Sequence, residues 1–106
     1  MFARTVSFHL KPGRAVEFRR LLDQNVIPVL WKQKGFQDEI TFVVPDGTKV
    51  LAISLWDKAE SATAYNSGAY TEVVKMLSKI VDGTPTVENY EVANSTFHKI
   101  ASPVVA

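Results

Sequence analysis

The chain of 106 residues has no cysteine. That excludes disulfides, thiolate nucleophiles and thiolate metal ligands, and says little about compartment. Charge of either sign is not in excess: twelve basic against eleven acidic residues leave a formal +1, so there is no electrostatic case for nucleic acid or for an acidic lipid surface. Histidine is scarce. His9 and His98 lie far apart, with no His-x-x-x-His spacing and no carboxylate-rich loop, which argues against a metal site. Long apolar runs are missing too: Val50 to Trp56 is seven residues, far short of a bilayer span. Met1 to Phe8 has neither the apolar core nor the small-residue pattern of a signal peptide, so a cytoplasmic protein without a membrane partner is expected. The sequence also lacks a phosphate-binding P-loop, a glycine-rich dinucleotide fingerprint, a Gly-x-Ser-x-Gly elbow and internal repeats.

What is present reads as a folded domain, with 46% hydrophobic and 22% charged residues. Phe2 to Leu10 alternates, with Phe2, Val6, Phe8 and Leu10 on one side and Ala3, Thr5, Ser7 and His9 on the other, broken only by Arg4. Lys11-Pro12-Gly13 turns the chain. Arg14 to Lys34 then carries Ala15, Phe18, Leu22, Val26 and Val29 at helical spacing. Pro28 removes a backbone donor inside that helix, which predicts a kink or break between Gln24 and Pro28. Phe36 to Val44 and Val50 to Trp56 read as a β-hairpin joined by Pro45-Asp46-Gly47-Thr48.

Asp57 with Glu60 three residues on predicts a capping box at the start of the next helix. Ser67-Gly68 interrupts that helix, a second run follows from Thr71 to Asp82 with Gly83 as its C′ residue, and Thr86 to Phe97 predicts a final strand. The order is therefore β-α-β-β-α-β, a ferredoxin-like α+β fold in which helices cover one face of a four-stranded antiparallel sheet. A single domain over 1–100 and a loose tail over 101–106 are expected. The strands carry apolar residues on both sides, which predicts a homodimer formed by packing the free sheet faces of two copies together. Leu51-Ala52-Ile53-Ser54-Leu55 has none of the glycine and aromatic residues that RNA-binding domains of this topology use for base stacking.

In this order and spacing, Pro12-Gly13, Pro28, Lys34-Gly35-Phe36, Ser54-Leu55-Trp56-Asp57-Lys58, Ala64-Tyr65-Asn66-Ser67, Tyr70 and Val87-Glu88-Asn89-Tyr90-Glu91-Val92 resemble the antibiotic biosynthesis monooxygenase type of dimeric α/β-barrel protein. The resemblance implies a ligand pocket between the helices and the sheet. Its haem-degrading branch has an Asn, a Trp and a His where this chain has Val6, Tyr65 and Lys75, which argues against haem as substrate. Its monooxygenase branch has an Asn, a Trp and a Tyr in the second helix, where this chain has Ser61, Tyr65 and Tyr70.

From the residues themselves, Tyr65 and Tyr70 flank a helix interruption where a phenol can donate to a substrate oxygen. His9, facing the same side as Thr5 and Ser7 next to a strand that offers Ser54 and Trp56, suits a proton shuttle. The catalytic candidates are thus Tyr65, Tyr70 and His9; the substrate-binding candidates are Trp56, Ser61 and Asn66. With no flavin, haem or metal motif, no cofactor is expected, and the substrate has to supply electrons to dioxygen. The function implied is a cofactor-independent monooxygenase acting on a small aromatic or quinol-type compound; the alternative is a non-catalytic homodimer of the same fold that binds a small apolar molecule or serves a stress-related role. The plain structural alternatives are packing for Trp56, wet hydroxyls for the two tyrosines and a surface position for His9.

Overall fold

The computed structural model describes residues 1–97. His98 and the tail expected over 101–106 lie outside the described residues. Four strands, β1 (Phe2–Leu10), β2 (Phe36–Val43), β3 (Lys49–Trp56) and β4 (Val81–Glu91), form an antiparallel sheet in the order β2-β3-β1-β4. This is the ferredoxin-like arrangement read from the sequence. The hairpin between β2 and β3 closes at Pro45 to Thr48, where the Asp46 carboxylate accepts from both the N–H and the hydroxyl of Thr48. Those two hydrogen bonds hold the Asp46 carboxyl below its usual range.

The first helical arm is continuous but not uniform. It runs as α1 (Ala15–Leu21), a π-helical turn over Leu22–Val26, and α2 (Ile27–Trp31). The Ile27 N–H bonds to the Leu22 carbonyl, five residues back. Pro28, the next residue, has no N–H to give, so the chain widens by one residue per turn ahead of it. The predicted break between Gln24 and Pro28 is therefore a bulge. The second arm is α3 (Ala59–Ser67) and α4 (Tyr70–Leu77), parted at Gly68.

Three local expectations change. Lys58, not Asp57, is the N-cap of α3, and no side chain caps it. Asp57 lies just past β3, where its N–H bonds to the Gly35 carbonyl at 2.9 Å and its carboxylate is engaged by the Ser61 hydroxyl. Gly83 is no helix C′ residue, because α4 stops at Leu77 and β4 begins at Val81, five residues before Thr86. Leu10 pairs with Val81 and the Lys11 N–H bonds to the Ile80 carbonyl, so tertiary pairing captures this stretch from the helix. The register of β4 against β1 then shifts between Ser7 and His9, and Gly83 (φ 80°) and Pro85 sit in that irregularity on an edge strand. At its other end β4 finishes at Glu91 rather than at Phe97.

Even-numbered residues of β1 face the helices. Val6, Phe8 and Leu10 join Phe18, Val26, Leu30, Val50, Trp56, Val73, Leu77 and Ile80 in the core, with the Phe8 and Phe18 rings edge to face at 5.6 Å. The opposite face of the sheet carries Ile40, Phe42 and Leu51, all exposed, together with Tyr90 of β4. Among the described residues no helix is long and apolar enough to cross a membrane.

Candidate functional site

Strand register explains how a polar site arises inside an apolar layer. Arg4 pairs with Ser54 and with Asn89, and Ser54 pairs with Glu39, so Glu39, Ser54, Arg4 and Asn89 form one row across the sheet. Because side chains alternate along each strand, the whole row points to the helix side. The neighbouring row toward the sheet interior is Thr41, Ala52, Val6 and Val87. Above these rows lies a cavity of about 210 Å³, bounded by Arg4, Glu39, Ser54, Tyr65 and Tyr70 at one end and by Phe18, Leu22, Val26, Leu30, Val73 and Leu77 at the other. The π-helical turn supplies Leu22 and Val26 to the apolar wall.

Arg4 dominates the polar end. It is 2% exposed, and none of the ion pairs among the described residues involves it. One guanidinium nitrogen, Nη2, donates to Asn66 Oδ1 at 2.8 Å. The charge lies over the Tyr70 ring at 4.1 Å and near the Tyr65 ring at 5.2 Å, within cation–π range. Its Nε–H is buried with no hydrogen-bond partner among the described residues. A buried cation without a carboxylate is costly and rare, so this residue marks a site rather than a packing solution.

Tyr65 is held from below. Its ring stacks on Trp56 with centroids 5.1 Å apart, and Trp56 meets Phe36, which meets the exposed Trp31. Burial pushes the Tyr65 phenol up to about 12, against the opposing pull of the Arg4 cation. The phenol therefore stays protonated through the physiological range and can act as a donor. On β2, the Thr41 hydroxyl donates to Glu39 Oε2 at 2.7 Å.

Of the residues singled out from sequence, Tyr65, Tyr70 and Asn66 come together at the polar end, joined through Arg4. Trp56 is fully buried and its indole N–H donates to Ser54 Oγ at 2.9 Å. That donor is committed within the protein; the ring serves as the platform under Tyr65. Ser61 sits at the start of α3, where its hydroxyl bonds to the Asp57 carboxylate and, as the leading cause, lowers the Asp57 pKa. His9 is corrected in position. It pairs with Lys49 and Asp82 on the outer side of the sheet, exposed, while Ser54 and Trp56 point to the helix side. The alternation of β1 that put His9 with Thr5 and Ser7 also puts it across the sheet from the cavity.

Sequence reasoning missed Arg4 and Glu39. For Arg4 the signal was present, since it is the one charged residue in an otherwise apolar alternation. Glu39 gave no comparable signal, being one of several polar residues that alternate along β2, and only its pairing with Ser54 places it on the helix side. Among the described residues no group of three histidine, aspartate or glutamate side chains is arranged to hold a metal ion.

No family model matches the sequence, and no curated protein matches it. Solved structures do. The monooxygenase ActVA-Orf6 of Streptomyces coelicolor, solved in complex with nanaomycin D, superposes with a TM-score of 0.74 at 20% identity, covering 91% of this chain and 90% of its own. SnoaB, a cofactor-independent oxygenase from Streptomyces nogalater, gives 0.74 at 12% identity over 90% of this chain and 95% of its own. The NE2512 protein of Nitrosomonas europaea, of unknown function, gives 0.75 at 13% identity over 91% and 92%. The chain thus has the fold of the antibiotic biosynthesis monooxygenase-like proteins.

Proposed function

We propose that this chain is a small homodimeric oxygenase that works without a bound cofactor on an aromatic or quinol-type compound held between helices and sheet. The carrying observation is the apolar cavity whose polar end gathers Arg4, Tyr65 and Tyr70, with Asn66 holding Arg4 from outside the cavity. The likeness in fold to an oxygenase described as cofactor-independent supports the reading. In such a reaction an activated ring CH₂ and O₂ become C=O and H₂O, so the substrate is the reductant and one oxygen atom leaves as water. The chain's part is to exclude water with its apolar wall, to stabilise negative charge on the substrate oxygen through Arg4, and to donate from the protonated Tyr65.

An oxygen electrode tests this with a panel of phenols and quinols and no added cofactor. Substrate-dependent uptake is expected, reduced at least tenfold in Tyr65→Phe if the phenol donates in the reaction. No uptake across the panel overturns the oxygenase reading.

The dimer would form through the free sheet face, where Ile40, Phe42, Leu51 and Tyr90 give an apolar surface that a monomer leaves wet. A second reading, a non-catalytic homodimer that binds a small molecule, draws on one observation: the donors of Trp56 and Ser61 are already committed to Ser54 and Asp57. Tight ligand binding with no turnover would favour it.

A further inference from the structure

We propose that Arg4 forms an oxyanion subsite and that the cavity selects an aromatic monoanion of one or two rings, its carboxylate or phenolate oxygen seated on the Arg4 guanidinium. The inference rests on the cavity being a ligand site, and names the class of ligand it takes.

Three observations carry it. The buried Nε–H of Arg4 has no partner, and an arginine presents its N–H groups as a planar fork matched to a carboxylate or phenolate. Among the described residues the guanidinium donates one hydrogen bond, to a neutral amide oxygen, Asn66 Oδ1, which orients the fork without neutralising it. The tyrosine rings lie against the cation by their faces, an arrangement that leaves the in-plane N–H direction for a ligand. An anion entering the cavity would therefore satisfy both an orphan donor and an unpaired charge.

Glu39, at the far end of the same row, sets the limit to one charge. It is only half-buried and it already accepts from Thr41, so water screens it more than it screens Arg4. Strands lie roughly 5 Å apart, so Arg4 and Glu39, two strands apart, are separated by about 10 Å at the backbone. A second negative group on that side of the ligand would meet the Glu39 carboxylate. Size sets the other limit: an apolar cavity of roughly 150 Å³ accepts benzene, and this one measures about 210 Å³.

The test is isothermal titration calorimetry on the full chain with matched probes. 2-Naphthoate is compared with neutral 2-naphthamide, and 4-nitrophenolate with neutral 4-nitroanisole, so that the two pairs separate carboxylate from phenolate as the source of the oxyanion. Roughly ten- to hundredfold tighter binding of the anion in at least one pair is expected. Arg4→Met keeps the length of the side chain without its charge, and should bring the preferred anion and its neutral partner to equal affinity while melting no lower than the parent protein. Arg4→Lys keeps the charge without the fork and should retain part of the preference. Equal affinities in both pairs in the parent protein overturn the subsite without need of any variant, as does an anion preference that survives in Arg4→Met, and so does binding of neither series. Anion preference without oxygen uptake keeps the subsite and removes the oxygenase; uptake of oxygen with no anion preference does the reverse.

Discussion

The two faces of the sheet are built from the same strands and differ only in the parity of their residues. On the helix side, Val6, Phe8 and Leu10 are sealed under two helical arms, and the charged Arg4 is sealed with them. On the other side Ile40 and Phe42, 45% and 50% exposed, stand in solvent. The covered face buries a cation that has no carboxylate partner among the described residues, whereas the bare face keeps apolar area uncovered. Stability alone explains neither choice, since Met at position 4 and polar residues at 40 and 42 would serve a lone monomer better. Each departure agrees with what is proposed above: a ligand on one side and a second copy on the other.

The contrast can be broken at its strongest point first. Phe18→Ala removes a nearly inaccessible ring from the covered face and should cost about 3 to 5 kcal/mol in chemical denaturation. A loss under about 1 kcal/mol would mean that the helical arm is not packed as described.

Next comes the polar end of that face. Tyr65 ionises only at about 12 when folded, against roughly 10 when unfolded. The folded state holds the proton longer, so stability falls as pH rises from about 10 toward 12, by roughly 2 to 3 kcal/mol. Denaturation of Tyr65→Phe beside the parent protein should show that alkaline loss removed from the variant.

Gly35 governs how α3 seats on the covered face. It has φ 83°, and an added Cβ would run into Asp57 and Ser61. Gly35→Ala should therefore cost about 2 kcal/mol, read as a lowered denaturation midpoint. Gly13, whose φ is 74° with open space around it, is the control for backbone strain alone.

The smallest effect on the fold is expected from the bare face. Phe42→Lys should change monomer stability by no more than about 0.5 kcal/mol while moving the proposed dimer to monomer in sedimentation; a parent protein that sediments as a monomer removes the dimer reading. A variant that remains dimeric would place the interface elsewhere.

The architecture was legible because periodicity reports burial. Strict alternation in β1 and the Pro45-to-Thr48 turn fixed the topology without reference to any long-range contact. Boundaries failed where tertiary pairing outweighed local preference: Val81 to Gly83 reads as a helix end, yet Leu10 and Lys11 draw its beginning into the sheet. Site residues on α3 and α4 were legible through their position around Gly68. His9 stays away from the cavity because it pairs with Lys49 on the outer side of the sheet, whereas Ser54 and Trp56 of the same adjacent strand pair with Arg4 and Phe2 on the helix side. The most informative letter was the one that broke the pattern, since a charge in an apolar stripe is either an error or a site, and Arg4 is at the cavity.

The π-helical turn at Leu22–Val26 gives the apolar end of the cavity an unusual kind of dependence. An α-helix advances about 100° per residue, and this arm contains one residue more per turn than that ladder accommodates. Leu22 and Val26 precede or lie within the turn, while Leu30 follows it, and all three reach the same wall. The wall is therefore specified by a count as well as by side-chain identity. Losing one residue from the turn would close the bulge into the ordinary ladder and leave Leu30, and Trp31 with its aromatic contact with Phe36, in phase, whereas losing one from α1, which has no bulge to absorb it, would turn Phe18 out of line with Leu22.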